Sequence, residues 1–315
     1  MRRRFSPWLV WGAKLAVGVA IFAFVVRQVG PAQWDYLRQH KLIAVIPVLG
    51  WALNQLCTSM RLHVMLQALN INVCRSSVLK ANFASLFLGN LMPGSIGADL
   101  VKFFYLRSSD GGVPSSKLAF VLILDRVLGL CAILILCVVA SLFIVIPDSA
   151  QSLFVYIPHV SLLLLAVVFV VGHFFVVKYV DSQTLPFIKK IFSVYLEMLP
   201  ALNKRIIFLI CFYNMAAVLV LVFSLVYVGG DLLRIEGMSS MYAEQFFLIP
   251  LSLVVAMLPL TPAGIGTVQV AMGFVYPLLY LPASVGIAVT TMSQLGLVLA
   301  SMVFGLPFYL TARKG

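Results

Sequence analysis

Pro93-Gly94-Ser95-Ile96-Gly97 and Pro262-Ala263-Gly264-Ile265-Gly266 are two versions of one short motif, and each interrupts an otherwise apolar stretch of the chain. Proline removes a backbone donor and glycine is a poor helix former, so both motifs break helices. Broken helices in paired positions of a membrane protein are typical of transporters, in which the breaks lie at the substrate site. The two motifs therefore predict a pair of discontinuous helices around one binding site.

The composition predicts a polytopic membrane protein. Of the 315 residues, 62% are hydrophobic and 10% are charged, and the mean hydropathy is +1.07. A soluble core could not hide this much apolar surface. The longest polar stretch, roughly Lys178 to Arg205, is too short for a soluble catalytic domain. We therefore expect residues 1–315 to form a single membrane domain.

The basic residues predict the topology. They lie beside apolar segments and give a formal net charge of +12. In such positions they orient the chain and attract anionic lipid headgroups, so nucleic acid is not expected as a partner. If both broken segments are re-entrant hairpins, most basic residues, including Arg61, Arg75 and Arg205, fall on the cytoplasmic side. This distribution predicts a multi-pass protein of the cell inner (cytoplasmic) membrane with both termini in the cytoplasm.

Six apolar runs are long enough to cross about 30 Å of hydrocarbon. The first is interpreted as a retained signal anchor, because it is too long for a cleaved signal peptide and lacks a convincing cleavage site. The runs are Trp8 to Val26, Leu42 to Met60, Leu118 to Ile146, Phe154 to Val177, Ile206 to Val228 and Ser284 to Leu310.

The two broken segments, Val78 to Leu106 and Tyr242 to Pro282, behave differently from the six runs. In the first, the break leaves helical arms of roughly 21 and 14 Å, and neither arm can span the membrane alone. The fold class predicted is all-α integral membrane, with about six full spans and two opposed re-entrant hairpins. Residues 1–147 and 148–315 would form two inverted-topology repeats. Two kinked but ordinary spans are the alternative, since membrane helices tolerate proline and glycine.

No metal or cofactor site is expected. The five cysteines have no CxxC spacing, and the four histidines are dispersed along the chain. The chain lacks a P-loop, a nucleophile elbow and a paired His-Glu metal motif. No catalytic residue is therefore predicted.

Three strings resemble signatures of a flippase-like membrane family that includes the transmembrane domain of lysylphosphatidylglycerol synthetases. They run from Gly89 to Asp99 (GNLMPGSIGAD), from Leu124 to Leu130 (LDRVLGL) and from Pro259 to Gly266 (PLTPAGIG). The resemblance implies movement of a lipid or lipid-linked headgroup between leaflets. Some relatives accompany lipid-biosynthetic enzymes, which it implies as partners. One departure is Gln269, where the family often has Glu, so the resemblance does not imply proton or cation coupling at this position.

The breaks themselves supply candidate binding residues. A helix that begins inside the membrane presents free backbone amides and a positive dipole end, which suit a phosphate or carboxylate. Ser95 and Thr261 are expected to cap the second arms. The alternative is that the glycines only permit close helix packing. The substrate-binding positions predicted here are Pro93, Gly94, Ser95, Gly97, Thr261, Pro262, Gly264, Gly266 and Gln269.

Four charged residues at membrane depth complete the predicted site. Asp125 and Arg126 lie inside a long span, where charges are costly and face a partner or a cavity. Asp99 and Lys102 are spaced to face one another on the first hairpin. We expect Arg126 to contact an anionic headgroup while the two aspartates orient the basic groups or bind a coupling cation. A purely structural Asp-Arg network is the alternative.

These features favour translocation of an anionic phospholipid or lipid-linked intermediate through a midmembrane cavity. A membrane-embedded lipid-modifying transferase that uses Asp99 or Asp125 as a base is the second hypothesis. A noncatalytic scaffold for a lipid or glycan biosynthetic complex is the third. The segment Phe187 to Leu199 is amphipathic and is expected to lie along the headgroups or to bind a partner.

Overall fold

The computed structural model describes residues 35, 39–89, 96–108, 113–144, 155–179, 193–258, 261 and 264–312. Within these ranges every regular element is helical. The predicted span Trp8 to Val26, the site positions Pro93, Gly94, Ser95 and Pro262, and the beginning of the predicted surface segment at Phe187 lie outside the described residues. The main helices are α1 (Lys41–Ala68), α2 (Arg75–Gly89), α3 (Ile96–Ser108), α4 (Ser115–Ser141), α5 (Ile157–Tyr179), α6 (Lys204–Ile235), α7 (Tyr242–Met257), α8 (Thr267–Val275), α9 (Ala283–Ala300) and α10 (Leu306–Ala312).

Among the described residues, four helices are long and apolar enough to cross a membrane. They are Ile43–Ala68 in α1, Ser115–Ser141 in α4, Lys204–Ile235 in α6 and the continuous stretch Ala283–Tyr309 that begins with α9. Each of them contains one of the six predicted spans or most of it. The predicted span Phe154 to Val177 corresponds to α5, which runs from Ile157 to Tyr179.

The outer surfaces of the helices are apolar, as contact with lipid tails requires. On α5 most described side chains are exposed, and large aliphatic and aromatic groups such as Leu163, Val168 and Phe174 dominate among them. A soluble monomer rarely exposes an apolar patch of this extent. The helix can therefore satisfy its own backbone while its side chains face hydrocarbon.

Two pairs of short helices lie between the long ones. Helices α2 and α3 pack against each other, and so do α7 and α8. A Cβ atom on Gly89 would lie 2.6 Å from the Cβ atom of Ala98, so the end of α2 and the start of α3 are in close contact. The order long, short, short, long occurs twice, in α1 to α4 and again in α6 to α9.

Helix α1 is at the centre of the bundle and packs against α6, α9, α2 and α4. Close approach to α6 and α9 depends on small residues, because a Cβ on Gly50 would clash with Ser224 and one on Gly296 would clash with Pro47. The Trp51 indole N–H donates to the carbonyl oxygen of Ser293 at 2.9 Å. These contacts hold α1 between the two halves of the chain.

Candidate functional site

A cavity of about 240 Å³ lies beside α1, where the short helices α2, α3 and α7 meet the long helices. Its wall includes the end of α2 at Gly89, the start of α3 at Ala98 and the end of α7 at Ala256 and Met257. The polar residues of the wall come from α1, α2, α3 and α4. The residues that line it are Trp51, Asn54, Gln55, Thr58, Arg61, Ser85, Leu86, Gly89, Ala98, Lys102, Asp125, Arg126, Gly129, Ile133, Ala217, Val218, Leu221, Leu253, Ala256, Met257 and Leu297.

Arg61 and Asp125 form a buried ion pair in this wall. Arg61 Nε donates to Asp125 Oδ1 at 2.8 Å, and Nη2 lies 2.7 Å from the same oxygen. Nη1 donates to Asn214 Oδ1, while Asn214 Nδ2 donates to the carbonyl oxygen of Leu128 at 2.8 Å. Arg61 is 3% exposed and Asp125 is 5% exposed. The pair and its hydrogen bonds therefore join α1, α4 and α6.

Arg126 and Asp99 form a second pair that connects α4 to α3. Arg126 Nε donates to Asp99 Oδ2 at 2.7 Å, and Nη2 donates to Asp99 Oδ1 at 2.8 Å. This two-point geometry is the strongest that a guanidinium and a carboxylate can adopt. Both side chains are only partly buried. Position 126 lies about 16.5 Å along the axis from the first residue of α4, at 1.5 Å per residue, so the pair is far from the start of that helix.

Lys102 is a buried cation without a direct partner. It is 6% exposed, and within the described ranges no carboxylate lies within ion-pair distance of its ammonium group and no hydrogen bond reaches it. The predicted contact between Lys102 and Asp99 is therefore not formed, because Asp99 is occupied by Arg126. Lys102 faces the cavity and lies within electrostatic range of both aspartates and both arginines.

The charges of the site do not balance. Arg61, Lys102 and Arg126 carry three positive charges, and Asp99 and Asp125 carry two negative ones, so the cluster has a formal excess of one positive charge. A buried cation is unfavourable unless it is paired. The arrangement therefore favours an anion in the cavity next to Lys102. Within the described part of the chain, no group of three His, Cys, Asp or Glu side chains could hold a metal ion.

The described residues of the second break lie outside the wall of the cavity. Thr261, Gly264, Gly266 and Gln269 are all described, and none of them lines it. Gly264 has φ +71° and Gly266 has φ +85°, conformations that side-chain-bearing residues rarely adopt, so this break depends on glycine. Gly97 is buried at the start of α3, next to Ala98 of the wall.

Gln269 has a structural role in α8. Its Oε1 accepts from the Gly266 backbone N–H at 2.8 Å, and its Nε2 donates to Gln294 Oε1 at 2.6 Å. The expectation that Thr261 caps the second arm is wrong, because Gly266 occupies the N-cap position and the Thr261 hydroxyl lies 3.0 Å from that of Thr267. Gln269 instead connects the start of α8 to α9.

Sequence reasoning missed the contribution of α1. Arg61 was expected at the cytoplasmic surface, because the apolar run ends at Met60, but α1 continues to Ala68 and places Arg61 in the interior. The signal was present in the spacing of the polar and aromatic residues Trp51, Asn54, Gln55, Thr58 and Arg61, which recur on one helical face. This stripe also explains why α1 has the lowest hydropathy of the four candidate spans.

The chain matches a protein family described as "Lysylphosphatidylglycerol synthase TM region" over residues 11–305. It is 27% identical over 100 residues to the UPF0104 membrane protein PH1989 of Pyrococcus horikoshii. That alignment covers 31% of this chain and 30% of the relative. No solved structure matches the chain.

Proposed function

The chain belongs to the family of the lysylphosphatidylglycerol synthase TM region, and from this membership and the central cavity we propose that it moves an anionic lipid or lipid-linked headgroup between membrane leaflets. The family supports a lipid-related function of a multi-pass membrane protein. The observation that carries the proposal is Lys102, a buried ammonium group that faces the cavity and has no ion-pair partner in the described ranges.

The role of each charged group follows from its contacts. The negative headgroup, a phosphate in most membrane lipids, accepts hydrogen bonds from Lys102 and thereby compensates its buried charge. Arg126, in the wall beside Lys102, adds the second positive group. Arg61 and Asp125 hold α1, α4 and α6 in position around the ligand. The acyl chains remain in the hydrocarbon, against the apolar outer surfaces of the helices.

The movement itself needs an opening toward each leaflet. We assign the short pairs α2–α3 and α7–α8 as two re-entrant hairpins that enter from opposite sides, with residues 1–147 and 148–315 as inverted repeats. Two observations support this assignment: the order of helices recurs in the two halves, and the ends of α2 and α7 both reach the cavity. Rocking of one half against the other would then expose the same site to each leaflet in turn. The protein lies in the inner membrane with cytoplasmic termini.

A lipid-modifying transferase is the second candidate. It would use Asp99 or Asp125 as a general base, and both carboxylates lie at the cavity or next to it. Each is, however, already hydrogen-bonded to an arginine, Asp99 through both carboxylate oxygens and Asp125 through Oδ1. This geometry ranks the transferase below the translocator.

A leaflet-specific quenching assay tests the proposal. The full chain is reconstituted into liposomes with a tail-labelled phosphatidylglycerol or phosphatidylcholine, and an impermeant reductant quenches the label in the outer leaflet, with and without imposed proton and sodium gradients. We expect the anionic lipid of the inner leaflet to become accessible to the reductant without chemical change. Its rate should be higher than that of the zwitterionic lipid. Chemical alteration of the lipid would overturn the proposal in favour of the transferase. If the labelled lipid of the inner leaflet stays protected from the reductant in every condition and for every anionic lipid of a panel, the scaffold hypothesis would be favoured.

A further inference from the structure

A second pocket, of about 400 Å³, lies at one end of the bundle, where α1 ends and where α2 and α6 begin. On α1 its lining residues recur at helical spacing on a face that does not include Arg61, so the helix separates this pocket from the central cavity. The residues that line the pocket are Met60, His63, Val64, Gln67, Arg75, Asn203, Arg205, Ile206, Leu209 and Tyr213.

The pocket is positively charged. Arg75 and Arg205 line it, neither has an ion-pair partner within the described ranges, and no acidic residue is among the described lining residues. Arg75 is the first residue of α2, and Asn203 is the N-cap of α6. The positive ends of two helix dipoles therefore add to the charge of the two guanidinium groups.

His63 provides an independent indication that a ligand belongs there. The residue is 7% exposed, and its Nδ1 atom is buried without a hydrogen-bond partner in the described part of the structure. An unsatisfied buried nitrogen is unfavourable, and such groups are rare unless a ligand or water completes them. Gln67, Asn203 and Tyr213 line the same pocket and supply neutral hydrogen-bonding groups.

We propose that this pocket is a second binding site, separate from the central cavity, for a phosphate group. Two unpaired guanidinium groups and an unsatisfied imidazole match the several acceptor oxygens of a phosphate, and guanidinium binds such oxygens in a two-point geometry. The phosphate belongs either to a lipid headgroup or to a soluble phosphate ester or ion. The proposal does not depend on transport through the central cavity.

Direct binding measurements on the full chain test this site. The protein is purified in a maltoside detergent, which contains no phosphate, and titrated calorimetrically with inorganic phosphate and with dihexanoyl phosphatidic acid. The test variant is Arg75→Gln/Arg205→Gln. The matched control is Lys80→Gln/Lys204→Gln, which removes the same charge from the same two helices outside the pocket. A third variant, His63→Leu, removes the unsatisfied nitrogen.

We expect saturable binding that weakens by at least about tenfold in the arginine variant and by less than about twofold in the lysine control, since charged hydrogen bonds are lost only in the former. Binding of both probes identifies a phosphate group as sufficient, and binding of phosphatidic acid alone identifies a lipid site. Lys102→Met removes the proposed headgroup contact of the central cavity and should retain the component of binding that the arginine variant loses. Binding at this pocket is thereby distinguished from failure of the proposed transport function. Absence of saturable binding, or equal losses in the arginine and lysine variants, would overturn the proposal. If His63→Leu does not fold, the exposed arginines still provide the test.

Discussion

Arg61 and Asp125 show how a single buried contact can hold three helices together. Removal of one partner leaves the other charge buried without compensation, which destabilises proteins by roughly 3–5 kcal/mol. We therefore expect Arg61→Met and Asp125→Leu each to lower the unfolding temperature strongly. The double variant should be more stable than either single variant, because neither Arg61 nor Asp125 is then left without its partner. Thermal unfolding in detergent measures this, and a double variant with the summed loss of both singles would contradict it.

Gly264 and Gly266, the glycines of the second break, differ in the space available for a side chain. A Cβ atom on Gly264 would lie 3.1 Å from Ala256 Cα, whereas a Cβ on Gly266 would meet nothing within 4 Å. Both residues have positive φ, so alanine at either costs roughly 1–3 kcal/mol of backbone strain. Gly264→Ala should lower the unfolding temperature more than Gly266→Ala, since it adds a steric conflict between α7 and the start of α8. Equal losses would contradict this account of the break.

These contacts determine which glycine can be replaced by a bulky residue to test whether a headgroup enters the cavity. Gly264→Leu does not test whether a headgroup can enter the cavity, because the structure places Gly264 against Ala256 rather than in the wall of the cavity. A transport defect in that variant would therefore report helix packing. Gly97 lies next to the wall and is the better position for a blocking side chain.

At the level of elements, the Asp99–Arg126 pair decides between a structural and a substrate-binding role for Arg126. The exchange variant Asp99→Arg/Arg126→Asp can re-form the contact between α3 and α4 with reversed partners. We expect it to recover the unfolding temperature lost in Asp99→Arg but to transport anionic lipid slowly, because a carboxylate then replaces the guanidinium of the wall. Arg126→Lys should retain part of the activity. Parental transport by the exchange variant would assign Arg126 to structure alone.

The two short pairs predict a specific labelling pattern if they are re-entrant. Single cysteines are placed in a cysteine-free background. Two positions flank the first pair: the native Cys74, which is restored, and Arg107→Cys. Ser239→Cys and Tyr280→Cys flank the second, and all four positions are exposed. An impermeant maleimide should label the first two positions from one side of the membrane and the last two from the other. Labelling of two flanking positions from opposite sides would identify that pair as an ordinary span.

The elements were largely predictable from the sequence, because length, apolarity and breakers act locally. Four predicted spans correspond to helices that can cross a membrane, and the breaks near Gly94 and Gly264 fall between the short helices. The end of α1 was not predictable from hydropathy, since Arg61 reads as an interfacial charge until its partner Asp125 is known. The contact between Asp99 and Arg126 corresponds to the alternative of an Asp-Arg network between the hairpin and its neighbouring span. Lys102 was named as the residue facing Asp99 because spacing within one helix shows only neighbours on that helix.

For the molecule as a whole, the family resemblance of the three quoted strings is confirmed by the family match over residues 11–305. The sequence placed Asp125, Arg126 and Lys102 in a site, and the structure brings them to one cavity. The sequence alone did not show that Thr261, Gly266 and Gln269 lie outside that cavity, because the two motifs look alike. The position of the cavity depends on the packing of α1 against both halves, which only the complete fold determines.

The variant Lys102→Met tests the central claim most directly. This claim is that the buried ammonium group of Lys102 binds the negatively charged headgroup of a lipid. Rates of translocation of phosphatidylglycerol and phosphatidylcholine are compared in liposomes for the parental protein, Lys102→Met and Lys102→Arg, together with their unfolding temperatures. We predict that Lys102→Met loses anionic-lipid translocation by at least about tenfold, since a charged hydrogen bond contributes roughly 1.5–3 kcal/mol. Its unfolding temperature should be unchanged or higher, because an unpaired buried charge is removed, and Lys102→Arg should keep part of the activity. Parental translocation by Lys102→Met, or a loss that accompanies a large fall in its unfolding temperature, would contradict the account.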